Sequence, residues 1–269
     1  MRTPAGSFSV SHLEVKGSIL NDMKKKMLIV AASLMAPVLA HAGCEDMMSR
    51  WIKTLHPDNK LAAEYSACKA WPAHPQLTLA VMALAHDASD ESASGHDAEL
   101  VVADSASGAV IAHFYQRDAI VEQEMTFTDI ALDTARYDVS PGPRAFGVRV
   151  SYRGRSRVAP SGETSLLLYV LENKTLRPVL DKLAVEQANG EWDDRCEGFY
   201  DSTKRTVATG PAHREGYASL KVTEKTVHSV TRMVKDECVN QDGAPKQKDF
   251  TLEYRNGHYN VPQGMRLQG

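Results

Sequence analysis

Residues 99–115 read ELVVADSASGAVIAHFY, and this stretch decides the fold class. Apolar and β-branched side chains run up to Asp104, Ser105-Ala106-Ser107-Gly108 supplies a turn, and a second run rich in β-branched and aromatic residues follows. Such residues suit a pleated, half-buried surface, and the small polar tetrad suits a hairpin loop. The same grammar extends in both directions. Leu77, Leu79, Val81 and Ala83 alternate with a period of two, which predicts a strand with one buried face. Further strands are expected over 125–132, 145–152, 165–170, 184–186, 217–227, 230–238 and 250–254. Asn256-Gly257 then joins the last of these to 258–261, a strong hairpin signal. KTLRPVLDKLAV, residues 174–185, reads equally as a short helical turn or a strand. Strands without βαβ alternation or a repeated blade predict a mainly β chain whose body is an antiparallel β-sandwich. Its first β unit is expected over 73–187 and its C-terminal unit over 188–269, continuous with the first or separated by the polar segment 186–205.

Ahead of residue 73 the period changes. Met48, Trp51, Ile52 and Leu55 fall on one helical face, and Leu61, Tyr65 and Cys68 on another, with His56-Pro57-Asp58 as the break. This spacing predicts a short helical hairpin over 43–72. Antiparallel helices of similar length bring Cys44 beside Cys68, which leaves Cys196 to pair with Cys238. An even cysteine count without any CxxC pair favours structural disulfides over a zinc ribbon or redox motif.

The oxidising compartment that disulfides require has its own signal. Lys24, Lys25 and Lys26 precede thirteen apolar residues, 27–39, and Ala40-His41-Ala42 carries small residues at the positions a signal peptidase reads. A helix needs roughly twenty apolar residues to span a bilayer, so export with removal of 1–42 is expected, and no transmembrane segment. Ala42-Gly43-Cys44 also resembles the end of the lipobox of bacterial lipoproteins, which implies a lipid on Cys44; His41 stands where that family carries an aliphatic residue. The disulfide is the preferred use of this thiol. The expected location is the periplasm or the exterior.

Residues 1–42 hold five of the chain's 31 basic residues and two of its 34 acidic ones, leaving 26 and 32. A net charge of about −6 disfavours general nucleic-acid binding, which depends on lysine and arginine at phosphates. GxSxG, HExxH, P-loop and GxGxxG motifs are all absent. The ten histidines are scattered, and His113 or His213 reads as an ordinary surface or hydrogen-bonded side chain. No cofactor or metal is expected.

Three stretches carry chemistry. In 144–157, RAFGVRVSYRGRSR, strand alternation sets Phe146, Val148, Val150 and Tyr152 on one face. Arg149 and Arg153 take the other, and Arg144, Arg155 and Arg157 extend the charge. Guanidinium forks match carboxylates and phosphates, so this strand is the candidate grip on an anionic partner, although a solvated face balanced by acids has the same pattern. Asp87, Asp90, Glu91 and Asp97 crowd an oxygen-rich loop without the EF-hand spacing, which reads as an acidic turn. Glu191, Asp193 and Asp194 surround Trp192 near Phe199 and Tyr200, the ingredients of a glycosidase. Residues adjacent on a strand face opposite ways, which weakens that reading. The expectation is therefore an exported, non-catalytic protein that binds an anionic envelope component or a protein partner, inhibitor or immunity-like. The alternative is a hydrolase acting on carbohydrate or peptidoglycan through the residues around Trp192.

Overall fold

The computed structural model describes residues 36–85, 95–140, 142 and 144–267. The chain divides after Ala42, and residues 1–42 contribute to the description only the opening of helix α1, Ala36–Leu55. The export signal otherwise lies outside the described residues. Among those residues, no helix is long and apolar enough to cross a membrane.

The body from Gly43 onward is mainly antiparallel β. Four strands, β1 (Lys60–Trp71), β2 (His74–Ala85), β3 (Gly95–Asp104) and β4 (Val110–Val121), pair in chain order. A larger sheet follows: β5 (Met125–Tyr137), β6 (Ala145–Gly154), β7 (Ser161–Glu172), β8 (Thr175–Trp192), β9 (Gly198–Arg214), β10 (Tyr217–Val234) and β11 (Glu237–Asp242). It too keeps chain order, and β12 (Lys246–Leu252) pairs with β10 ahead of β11. A two-stranded hairpin, β13 (Tyr254–Arg255) and β14 (His258–Tyr259), closes the chain on either side of the Asn256-Gly257 turn. The sheets form a curled half-barrel rather than a clear two-layer sandwich.

The helical hairpin expected over 43–72 is corrected: its second arm is strand β1. Between Ala62 and Ala67 the register against β2 slips, so four residues of β1, 63–66, stand opposite the single residue Met82 of β2. Ser66 fills the gap, its hydroxyl donating to the Ala62 carbonyl at 2.8 Å and accepting from the Ala83 amide at 3.0 Å. A bulge interrupts strand alternation, which is why Leu61, Tyr65 and Cys68 imitate helical spacing. Cys44 nonetheless joins Cys68 with Cα atoms 5.9 Å apart, because α1 lies against the sheet that contains β1.

Both faces of the first sheet are buried. Met48, Trp51 and Ile52 of α1 cover Ala80, Met82, Leu84, Val101 and Ala103. On the other face Trp71, Leu79, Val81, Leu100 and Val102 pack against Phe127, Ile130, Phe146, Val148 and Tyr169 of the larger sheet. Trp71 is fully buried, its ring edge-on to Phe146 with centroids 5.5 Å apart. A second core, with Leu166, Leu168, Leu183, Leu220, Val222 and Tyr259, lies on the opposite face of β7 from Leu167 and Tyr169 of the first. Residues 175–185 belong to β8, not to a helical turn, and Lys174 lies in the turn before it. The polar segment 186–205 is no linker but the β8–β9 hairpin, whose ladder runs from Glu186–Lys204 to Trp192–Gly198.

Candidate functional site

Strand β6 turns its side chains as alternation requires, and the acids around it sort the five arginines. Arg149 approaches Asp133 on β5, with Nε 2.8 Å and Nη2 2.7 Å from Oδ2. The Tyr137 hydroxyl donates to the same oxygen at 2.9 Å. Burial pushes the Asp133 carboxyl upward, but the Ala135 amide, the Arg149 guanidinium and the Tyr137 hydroxyl together outweigh it and hold it below its ordinary value. Arg144 pairs with Asp138 at 2.6 Å. Arg155 donates to Thr126 Oγ1 at 3.1 Å and lies 3.9 Å from Glu122. Arg153 and Arg157 are exposed, and neither has a carboxylate partner among the described residues. Three of the five are thus paired with local acids.

The ladder brings the free end of this strand beside the aromatic-acid stretch. Arg153 pairs with Gly162 of β7, and Ser161 pairs with Asn189 of β8. The Gly190 and Trp192 amides donate to the carbonyls of Pro160 and Val158, each at 2.9 Å. Two segments far apart in sequence thus meet at one end of the larger sheet.

Two grooves lie there. The first, about 480 Å³, is hydroxyl-rich, with Ser151, Thr164, Ser202 and Thr203 among its lining; Arg153 and Lys204 bring cationic charge to it, and Glu186, 3.9 Å from the Lys204 ammonium, lines it as well. Ser151 and Thr164 share a hydrogen bond of 2.9 Å. Glu163 also lines it; burial raises its carboxyl above the usual range, against a smaller pull from Lys182. The second groove, about 580 Å³, is mostly apolar and is lined by Trp192, Tyr200 and the cystine Cys196–Cys238, with Asp193 and Asp194 as its charges. Tyr200 lines both.

Gly190 makes room for these rings. A Cβ at that position would stand 2.8 Å from the Phe199 carbonyl oxygen, 2.9 Å from Tyr200 Cδ2 and 3.3 Å from Trp192 Cζ3. The turn beyond is built by Asp193, whose Oδ1 accepts from the Arg195 amide at 2.9 Å and the Glu197 amide at 2.8 Å. Cys196 adopts φ +68° there and reaches Cys238 on β11, with Cα atoms 5.8 Å apart. Glu191 lines neither groove. Of the candidate acid–base set, then, Asp193 has one oxygen committed to the turn, while Asp193 and Asp194 border the apolar groove.

Other polar clusters escaped sequence reasoning. Glu99 is fully buried and accepts from His56 Nε2 at 2.5 Å and His113 Nδ1 at 3.0 Å. His56 also packs at a tilt against Tyr115, whose hydroxyl donates to Asp97. Asp97, read from the sequence as part of an acidic loop, is instead a buried residue of β3 whose Oδ1 accepts the Asp118 amide at 2.8 Å, while Asp87, Asp90 and Glu91 lie outside the described residues. Arg205, buried, meets Glu224 at 2.7 Å, and its Nη1 donates to the Ala184 carbonyl and to Gln187, both at 2.8 Å. No signal in the sequence singles out these residues, because their partners come from other strands. Among the described residues no group of three or more His, Cys, Asp or Glu side chains is placed to hold a metal ion. No protein-family model, curated protein or solved structure matches the chain.

Proposed function

We propose that this is an exported, non-catalytic binding protein that grips an anionic, hydroxyl-bearing envelope component in the groove of Arg153 and Lys204. One observation carries the reading: Arg153, free of any carboxylate partner among the described residues, lines a hydroxyl-rich groove together with Lys204. A guanidinium fork offers paired donors to a carboxylate or phosphate, and the serine and threonine hydroxyls both donate and accept, as sugar recognition requires. The two disulfides support action in an oxidising compartment.

Soluble muropeptides, which carry both carboxylates and sugar hydroxyls, test this by calorimetric titration, with uncharged chitooligosaccharide as the control. Arg153→Ser with Lys204→Ser is expected to weaken muropeptide binding by roughly a hundredfold, at about tenfold per lost charged contact, without lowering the melting temperature. Equal binding by that variant, or by the neutral sugar, would refute the assignment. Cleavage of the muropeptide during titration, abolished by Glu191→Gln or Asp193→Asn, would establish the hydrolase instead.

A further inference from the structure

The larger sheet ends on β11, whose six residues are all exposed and which, among the described residues, pairs only with β10. An antiparallel ladder directs the N–H and C=O of alternate residues away from the neighbouring strand, so β11 presents unused donors and acceptors along its outer side. Natural sheets blunt such an edge with proline, bulges or lysine. Here Glu237-Cys238-Val239-Asn240-Gln241-Asp242 has none of these, and its register against β10 is unbroken. Cys238 instead fastens the strand to the β8–β9 turn, which fixes it in an extended form before any partner arrives. Cys238 and Asn240 line the apolar groove described above, and Met233, the ladder partner of Cys238, is 45% exposed.

We infer that β11 is a docking edge for an extended basic segment of a partner protein, which adds a strand to the sheet and lays a cationic side chain between Trp192, Tyr200 and the carboxylates of Asp193 and Asp194. Charge selects this occupant. The groove is lined by two carboxylates and no lysine or arginine, and its aromatic walls attract a cation through their ring faces. Asp236, Glu237 and Asp242 place acids at both ends of the edge, with Lys235 beside Asp236 and Arg232 opposite Val239 as the basic residues nearby. A second copy fits poorly, because in-register antiparallel pairing of β11 with itself sets Glu237 opposite Asp242 at both ends, and like charges across a ladder repel. Strand addition supplies affinity through main-chain hydrogen bonds and selectivity through alternate side chains.

The inference does not rest on the muropeptide reading, and fluorescence polarisation with synthetic peptides tests it separately. The probes are a short peptide alternating lysine and valine, its counterpart alternating glutamate and valine, and the lysine peptide N-methylated at alternate backbone nitrogens. The plain lysine peptide is expected to bind, and each of the others at least tenfold more weakly. Asp194→Lys, an exposed change, should weaken the lysine peptide about tenfold with an unaltered circular-dichroism melt, whereas Arg153→Ser with Lys204→Ser should leave it unchanged. Absence of binding, equal affinity for the glutamate or N-methylated peptide, or a concentration-dependent dimer that Asp194→Lys disrupts would each overturn the inference.

Discussion

His56, the residue that follows helix α1, donates Nε2–H across 2.5 Å to Oε2 of Glu99, a carboxylate with no solvent exposure on β3. The contact ties the end of the helix to the middle of the first sheet. Glu99 has a second imidazole, that of His113, on its other oxygen.

Removing His56 should therefore cost more than removing His113. His56→Ala leaves a buried carboxylate oxygen without its donor, a loss of about 2–3 kcal/mol. His113 is 48% exposed, so water replaces its nitrogen and His113→Ala should cost about 1 kcal/mol or less. Guanidinium unfolding of the two variants checks the order, and equal losses would contradict it.

Asp133 makes stability depend on acid. Its folded value lies below the unfolded one, so its contribution is complete above about pH 4, the ordinary carboxylate value, and is lost as pH falls through the lowered one. Asp133→Asn should lower stability at pH 6 and flatten the decline between pH 4 and pH 2. Thermal melts across that range read the difference.

Gly190→Ala inserts a methyl group against a carbonyl oxygen and two rings. Overpacking of this kind costs about 1–3 kcal/mol. Because Trp192 and Tyr200 must shift, intrinsic tryptophan fluorescence should change, and affinity for the lysine–valine peptide should fall with it. An unchanged emission spectrum would mean that the rings do not depend on this glycine.

The disulfides should separate stability from binding. Closing 24 and 42 residues contributes about 3–4 kcal/mol each in the chain-entropy account. Cys44→Ser with Cys68→Ser should lower the melting temperature and leave peptide affinity intact. Cys196→Ser with Cys238→Ser should lower both, since it releases β11. Peptide affinity unaffected in the second pair would show that the edge needs no tether.

Much of this architecture is legible wherever local pattern and tertiary role agree. The 99–115 hairpin is one case, since its turn residues and its buried alternation signal the same structure; the Asn256-Gly257 turn is another. The misreading of β1 arises where they disagree, as the slip at Ala62–Ala67 erases the period of two. The pairing of Cys44 with Cys68 emerges from the sequence for the wrong geometric reason: a helix against a sheet replaces two helices side by side. Strand β9 is hidden for another cause. On its inward side Thr203, Arg205 and Thr209 leave Val207 as the apolar residue packed on the second core, and Arg205 is buried only because Glu224, Gln187 and a carbonyl from other strands satisfy it. The candidate site is half legible. Both of its segments stand out by composition, but only the pairing of β6, β7 and β8 makes them neighbours.

The meander order of both sheets has a kinetic corollary. Nearly every strand pairs with the one made just before it, so assembly can advance hairpin by hairpin as the polypeptide emerges, each step closing a short loop. Docking the two sheets and seating β12 on β10 must wait. The bridge between Leu183 and Arg266 waits longest, because its second half lies near the C-terminus. A nascent chain stalled before residue 260 should therefore already protect the amides of β2 and β3 from exchange, as well as those of the β7–β8 hairpin, whereas the Leu267 amide, which donates to the Lys182 carbonyl at 3.1 Å, gains protection only once it has been made.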